Sequence, residues 1–218
     1  MANLNATKWG NGIGPASSTF STARTTTSAN ITANGTGVNL VAVKYARTGR
    51  GQHSFNRVFY YFDTSGITGS VSSVTLNIQG HTGNDDGDVI VIKSTAFGGD
   101  GSTDLVSSEF SSLDYSTTYS SEITSWTLNG NNAITLDSDA ESDIQNNNAF
   151  IVAIVNHDND FQNSAGGSAV SDDNAIDFQP VGFLSYTEAA SGYTHDVNGL
   201  AAASIGKVSS VATASIGK

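Results

Sequence analysis

Three short acidic segments contain the side chains of this chain that are best suited to binding a metal ion. Residues 84–88, 157–160 and 172–174 each place carboxylate and amide oxygens close together, and calcium prefers six to eight oxygen ligands. None of these segments has EF-hand spacing, and Asp and Asn are also common in solvated turns, which are the alternative. We predict no organic cofactor; calcium is the ion these segments could hold, through Asp85, Asp86, Asp88, Asp158 and Asp160.

The residues that could perform catalysis lack the spacing that known mechanisms need. The four histidines are spread along the chain, and no two have the spacing of a metal-binding pair on one helix face. The chain contains no G-x-S-x-G motif for a nucleophilic serine. Aspartates that could pair for glycoside hydrolysis stand in Asn- and Gly-rich turns, where Asp is favoured for backbone reasons. We therefore predict that the protein is not an enzyme.

Aromatic side chains are concentrated at residues 59–62, which read FYYF. Exposed rings could form a platform for stacking sugars, whereas an alternating apolar segment is more typical of a strand with two buried faces. We predict the buried strand, with Trp126 also in the core. Trp9 is expected to anchor the N-terminal segment onto the domain or onto a neighbouring subunit.

Strand patterns dominate the middle of the chain and predict one domain over residues 38–188. Within residues 55–62, Val58, Tyr60 and Phe62 alternate with side chains that face the other way. Residues 150–155 are apolar on both faces, which predicts a central strand. Further strands are expected at residues 38–46, 74–79, 89–92, 123–128, 133–136, 176–178 and 183–186, with a hairpin turn at Asn129 and Gly130.

One short helix is predicted over residues 139–145, with Ala140 and Ile144 packed inward. Ser138 and Glu141 have the spacing of a capping box, in which each side chain caps the other residue's backbone amide. With strands nearly everywhere else, the expected architecture is an all-β antiparallel β-sandwich or jelly roll. The polar residues 1–37 are expected to form an extended N-terminal arm or an edge strand.

Composition and charge exclude several classes of partner. Hydrophobic residues make up 38% of the 218 residues and Cys is absent, so a core is expected but disulfides and thiolate zinc sites are not. No apolar run approaches the roughly 18 residues of a membrane helix, and the N-terminal residues contain no apolar export signal. A net charge of −11 disfavours nucleic-acid binding.

The charges are distributed unevenly along the chain. Residues 1–62 carry six basic and no acidic side chains, whereas residues 63–218 carry twenty acidic and three basic ones. A basic face of one subunit could meet an acidic face of its neighbour and fix the register of an assembly. The alternative is that both halves interleave in one sandwich, so that the asymmetry disappears in three dimensions.

The last twenty-two residues are one eleven-residue unit written twice. Residues 197–207 read VNGLAAASIGK and residues 208–218 read VSSVATASIGK. Each unit is too small to bury its own apolar positions, so we predict contacts with symmetry mates in a homotrimer, with a disordered tail as the alternative. The expected assembly contacts are Val197, Leu200, Ile205, Lys207, Val208, Val211, Ile216 and Lys218.

The repeat resembles the VNG-x-A-x-A-x-I-x-K tails of structural proteins of tailed bacteriophages. This resemblance implies a virion protein that is made in the host cytoplasm and exposed on the particle surface. It also implies that the partners are further copies of the chain and other virion proteins, foremost the major capsid protein.

The central domain resembles the DNRLRE-type β-sandwich, a carbohydrate-binding-module-like domain. Residues 57–67 (RVFYYFDTSGI) are similar to its R-x-φ-φ-x-F-D-φ-S-x-I segment, where φ is apolar. Residues 71–78 and 179–187 resemble its following and closing strands. The Trp-rich middle of the family is absent, and only residues 125–126 are similar to it. The resemblance implies a sandwich fold and raises the question of host-glycan binding.

These observations predict an arm over residues 1–37, a β-sandwich over residues 38–188 and a repeat tail over residues 189–218. The expected function is that of a surface-displayed capsid decoration protein, of the cement or head-fibre type. The alternative is a tail-fibre or adhesin module that binds carbohydrate on the host surface. Neither nucleic acid nor a membrane is expected as a partner.

Overall fold

The computed structural model describes residues 1–33, 41–48, 50–85, 87–165 and 175–189, and the backbone of residues 207–208 and 211–212. Most regular structure in these residues is β-strand. The strands are β1 (Ala2–Asn5), β2 (Lys8–Ile13), β3 (Asn30–Ala33), β4 (Val41–Arg47), β5 (His53–Asp63), β6 (Val71–Asp85), β7 (Val89–Ser94), β8 (Leu113–Thr118), β9 (Asn131–Thr135), β10 (Ala149–Asn156), β11 (Ala175–Glu188), β12 (Lys207–Val208) and β13 (Val211–Ala212).

Two long strands, β5 and β11, organise an antiparallel sandwich, which confirms the predicted fold class. One layer has the order β8-β7-β10-β5-β2-β3, and the other contains β9, β6, β11 and β1. Strand β4 pairs with the start of β5 and with the start of β11, so the two layers belong to one hydrogen-bonded sheet of eleven strands. A strand that pairs with both layers is a common way to close the corner of a sandwich.

The main core lies between the two layers. Val58, Tyr60 and Phe62 of β5 point into it, as the alternation predicted, and they meet apolar side chains of β6, β10 and β11. Strand β10 pairs with β5 on one side and β7 on the other, which confirms the predicted central strand. Each large apolar side chain buried here contributes about 1.5–3 kcal/mol to stability.

A second core covers the outer face of the β5–β10–β7 layer. Phe55, Phe59 and Tyr61 lie on this face of β5. They pack against helix α1 (Phe20–Arg24) and against two 3-10 turns, Phe97–Gly99 and Ser107–Ser111. Strands β5 and β10 are therefore buried on both faces, which explains their nearly continuous apolar sequences.

The N-terminal segment is part of the sandwich and forms paired strands, with β1 and β3 at sheet edges, so it follows the predicted edge-strand alternative and not the extended arm. The predicted boundary at residue 37 lies outside the described residues. Strand β1 pairs with β11, and β2 pairs with β5 over six residues. The sequence of β2 is rich in glycine, but a Cβ at Gly10 would stand 2.4 Å from the Leu105 side chain and one at Gly12 would stand 2.5 Å from Phe110. These glycines allow the second core to lie directly on the strand.

Helix α2 (Ser138–Asn146) confirms the predicted helix, with Ala140 and Ile144 buried, but its cap differs. The Asp137 side chain accepts hydrogen bonds from the amides of Asp139 and Ala140. Glu141 accepts instead from the Ser73 amide at 2.7 Å, because the helix packs beside β6. Helix α1 is an additional short helix. No helix within the described ranges is long and apolar enough to cross a membrane.

The predicted hairpin at Asn129 and Gly130 is wrong. Strand β9 pairs with β6, and the preceding residues form a loop that meets the sheet at a bridge between Ile123 and Val89 and at a hydrogen bond from the Gly80 amide to the Gly130 carbonyl. Asn129 has a positive φ of 53°, as a turn residue does. The turn therefore exists, but it leads from a loop into β9 because β6 offers β9 a longer pairing surface.

Candidate functional site

A histidine and two carboxylates meet at one end of the sandwich. Nδ1 of His157 lies 2.9 Å from Oε1 of Glu122 and 3.1 Å from Oδ1 of Asp158. We call these three residues the carboxylate–histidine cluster. One ligand atom from each lies within 4.8 Å of the others. The imidazole is 15% exposed, while the Glu122 and Asp158 side chains are 35% and 55% exposed, so the cluster opens to solvent on its acidic side.

The main chain holds the cluster through the ends of two adjacent strands. Strand β10 runs into a π-helical turn (His157–Phe161), and the His157 amide donates to the carbonyl of Asp88 just before β7. Ile123 exchanges two backbone hydrogen bonds with Val89, which places Glu122 beside the same turn. The turn is capped by Asn156, whose side chain accepts from the Asn159 amide at 2.8 Å.

The other ring nitrogen of His157 also has a neighbour. Its Nε2 lies 3.2 Å from the side-chain nitrogen of Gln162, and the ring stacks on Phe161 at a centroid distance of 5.7 Å. When Nδ1 carries the proton and donates to a carboxylate, Nε2 is free to accept from the Gln162 amide. The imidazole is therefore held in place from both nitrogens and from one face.

The five predicted calcium ligands do not form one site among the described side chains. Asp158 belongs to the carboxylate–histidine cluster, together with two residues that the sequence analysis did not connect to it. Asp88 reaches the same end of the sandwich through its backbone carbonyl. Asp86 and the side chain of Asp85 lie outside the described residues, as do residues 172–174. Calcium binding stays a prediction.

Asp160, two residues after Asp158, points the opposite way into the second core. Its oxygens accept from the Arg57 guanidinium at 2.6 Å and 2.9 Å, and one also accepts from the Tyr115 hydroxyl at 2.7 Å. The Arg57 and Asp160 side chains are 0% and 1% exposed. The remaining nitrogen of Arg57 donates to the carbonyl of Phe110 at 2.8 Å. Arg24 joins this network by donating to the Asp160 carbonyl at 2.6 Å.

This buried network is structural in character. Burial lowers the pKa of Arg57, but the Asp160 carboxylate and the Tyr115 hydroxyl together more than compensate, so that the pKa lies above its ordinary value and the charge is retained. The network joins α1, β5, β8 and the π-helical turn. It also supports the interleaved interpretation of the charge asymmetry, because bases of the first 62 residues pair with later acids within the domain. Lys8 does the same with Asp104 at 3.2 Å.

An open, polar cleft of about 570 Å³ lies beside the cluster, between residues 120–127 and strand β9. Exposed hydroxyl and amide side chains, including Ser121, Thr124 and Asn131, line it, and Glu122 belongs to both the cleft and the cluster. Its described lining includes no aromatic ring, because Trp126 is turned into the core. The cleft can offer hydrogen bonds to a hydroxylated ligand but no stacking surface.

The aromatic residues 59–62, His53 and Trp9 lie in or against the core. Residues 59–62 are buried on both faces of β5, as predicted, so they form no sugar platform. His53 is buried and its Nδ1 lies 2.8 Å from the Tyr45 hydroxyl. Burial, with a smaller contribution from Arg47, lowers the pKa of His53. Trp9 packs against the main core, which is the first of the two predicted anchoring surfaces.

A short antiparallel ladder lies where the two copies of the repeat join. Lys207, the last residue of the first copy, pairs with Ala212, and Val208 pairs with Val211. The backbone of three predicted contact residues, Lys207, Val208 and Val211, is therefore in this ladder. The other five lie outside the described residues: Val197, Leu200, Ile205, Ile216 and Lys218.

Comparison with known proteins adds no relative to this description. No family model matches the chain, and no curated protein matches it.

Proposed function

We propose that the protein is a structural component of a tailed-phage virion, displayed on the surface of the capsid as a decoration protein. The observation that carries the proposal is the tandem VNG-type repeat of residues 197–218. Residues 207–208 and 211–212 pair in an antiparallel ladder, and so short a two-stranded ladder is at best marginally stable alone. Docking onto a neighbouring surface would supply the missing burial.

The sandwich domain suits the role of a displayed module. Two apolar cores and a buried ion pair hold the domain together without disulfides. A particle protein that is made in the host cytoplasm needs this kind of stability, because disulfides do not form there. The repeats would join three copies of the chain and attach them to the major capsid protein. A closed three-fold arrangement would give each repeat an identical environment.

Immunogold labelling of particles in the source lysate tests the proposal, using an antibody against residues 55–188. Label over the heads is expected, and antibody preabsorbed with the purified protein should remove it. Label restricted to tails would move the protein to a fibre or adhesin. Unlabelled particles would contradict the virion assignment itself. Light scattering of the intact protein should give the mass of three chains, and a monomer both free and on particles would contradict the trimer.

A tail-fibre or adhesin module that binds host-surface carbohydrate is the second candidate, and the polar cleft beside β9 favours it. Its hydroxyl, amide and carboxylate groups are those that bind sugar hydroxyls through hydrogen bonds. A glycan array would test this candidate, with Asn131→Ala as the cleft variant and Asn146→Ala, exposed on α2 away from the cleft, as the control. Saturable binding that only the cleft variant loses would support the adhesin.

A further inference from the structure

We propose that Glu122, His157 and Asp158 bind a divalent transition-metal ion of the zinc class. The proposal does not depend on the virion assignment, which requires no metal. One imidazole nitrogen and two carboxylate oxygens are a donor set that Zn²⁺ and similar ions accept readily. Calcium takes oxygen ligands only and needs more of them, so this cluster selects against the ion that the sequence alone suggests.

The distances between the donor atoms fit an ion of this size. Bonds of about 2.0–2.2 Å from zinc to nitrogen or oxygen place adjacent ligand atoms about 2.8–3.1 Å apart in octahedral geometry and about 3.3–3.6 Å apart in tetrahedral geometry. The Nδ1 atom of His157 is 2.9 Å from the Glu122 carboxylate and 3.1 Å from the Asp158 carboxylate. An ion can thus replace the Nδ1 proton, and the two partly exposed carboxylates can rotate towards it.

The imidazole also has the support that metal-binding histidines usually have. A ligating histidine donates its second ring N–H to a carbonyl or carboxylate oxygen, which fixes the ring. The side-chain amide of Gln162 stands at this position, 3.2 Å from Nε2. A rotation of the Gln162 amide by 180° would bring its oxygen to the position of its nitrogen, where it could accept a hydrogen bond from Nε2–H of His157. The two amide orientations occupy the same space, so this rotation requires no other movement. Stacking on Phe161 holds the ring from its face.

The backbone beneath the cluster is well fixed, which favours a preformed site. The His157 amide is bonded to Asp88, and Ile123 is bonded twice to Val89 at 2.8 and 3.1 Å. A bound ion would therefore cross-link the loop before β9 to the turn after β10, at the edge of the polar cleft. Three protein ligands leave the remaining coordination positions to water or to a ligand in the cleft.

Calorimetric titration of the full-length, chelator-treated protein with zinc chloride tests the site, with calcium chloride and magnesium chloride in parallel. One zinc ion per chain is expected, bound more tightly than calcium. Both His157→Ala and Asp158→Asn should weaken zinc binding at least tenfold, because each removes a ligand. Asp104→Asn is the matched control, since it also neutralises one exposed carboxylate, whose partner is Lys8, and it should leave zinc affinity unchanged.

Several results would overturn the proposal. These are the absence of one-to-one zinc binding, equal zinc affinity in His157→Ala and the unmodified protein, and preference for calcium. Imidazole NMR signals of the unmodified protein give an answer even where a variant fails to fold. Zinc is expected to shift the assigned His157 signals in a saturable way; saturation without a shift at His157 would place the ion elsewhere.

Discussion

Replacing Asp160 by asparagine is expected to destabilise the fold strongly, because it leaves the Arg57 charge buried without a counter-ion. The two side chains are 0% and 1% exposed and are joined by contacts of 2.6 and 2.9 Å. Removing one partner of a buried ion pair costs about 3–5 kcal/mol. For a chain of this length, 1 kcal/mol corresponds to about 2–4 °C in Tm, so Asp160→Asn should lower Tm by about 6–20 °C.

Urea unfolding followed by circular dichroism would measure this loss, with calorimetry for Tm. Asp104→Asn is the control, because it makes the same chemical change in the exposed Lys8 pair, where Asp104 is 61% exposed. Exposed pairs contribute about 0–1 kcal/mol. In an Arg57→Met background the Asp160→Asn change should cost less, since the fully buried cation is then gone and Arg24, the remaining one, is 14% exposed and lies 3.4 Å from the carboxylate. A loss for Asp160→Asn no larger than that of the control would refute the reasoning.

Three further predictions concern other sites. Burial raises the pKa of Asp143, but hydrogen bonds from Lys93 and Tyr119 outweigh it and set the pKa below its ordinary 3.8. The stabilisation from this carboxylate should be complete above that value and lost as the pH falls through the lower folded pKa, so the stabilities of Asp143→Asn and the unmodified protein should converge as unfolding titrations are taken to pH values below 3.8. Asp137→Ala removes the α2 cap and should cost about 0.5–2 kcal/mol in urea unfolding; no change would mean that the cap is redundant. Tyr60→Phe should leave stability unchanged or raise it by up to about 1 kcal/mol, because the Tyr60 hydroxyl is buried without a hydrogen-bond partner among the described residues; a clear loss of stability would show that the hydroxyl is bonded.

Local patterns predicted the elements in which the order of apolar and polar residues follows the buried and exposed positions. Strand β10 was identifiable because eight consecutive positions are almost all buried, and the alternation in β5 assigned its side chains to the correct cores. The inward faces of α2 followed from helical spacing. These predictions succeeded because burial selects apolar side chains with the period of the element itself.

The errors occurred where a distant segment decides the local structure. Strand β2 is polar and rich in glycine, and it is a strand because β5 pairs with it. Its glycines let the Leu105 and Phe110 side chains pack directly against its backbone. The hairpin before β9 failed because β6 was the better partner. The α2 cap differed because the Glu141 side chain accepts a hydrogen bond from the Ser73 amide and so does not cap the helix.

The sequence by itself determined the all-β class, the central strands and the repeat, since these depend on side-chain type and spacing along the chain. Only the tertiary structure decided the roles of the acidic residues. Asp158 and Asp160 are two positions apart, yet one faces a histidine and solvent while the other neutralises a buried arginine. Glu122, the other carboxylate beside His157, lies 36 residues before Asp158, and Arg57 lies 103 residues before Asp160, while the π-helical turn sends the two aspartate side chains in opposite directions. The spacing of the two aspartates along the sequence does not indicate which of them is buried and which is exposed.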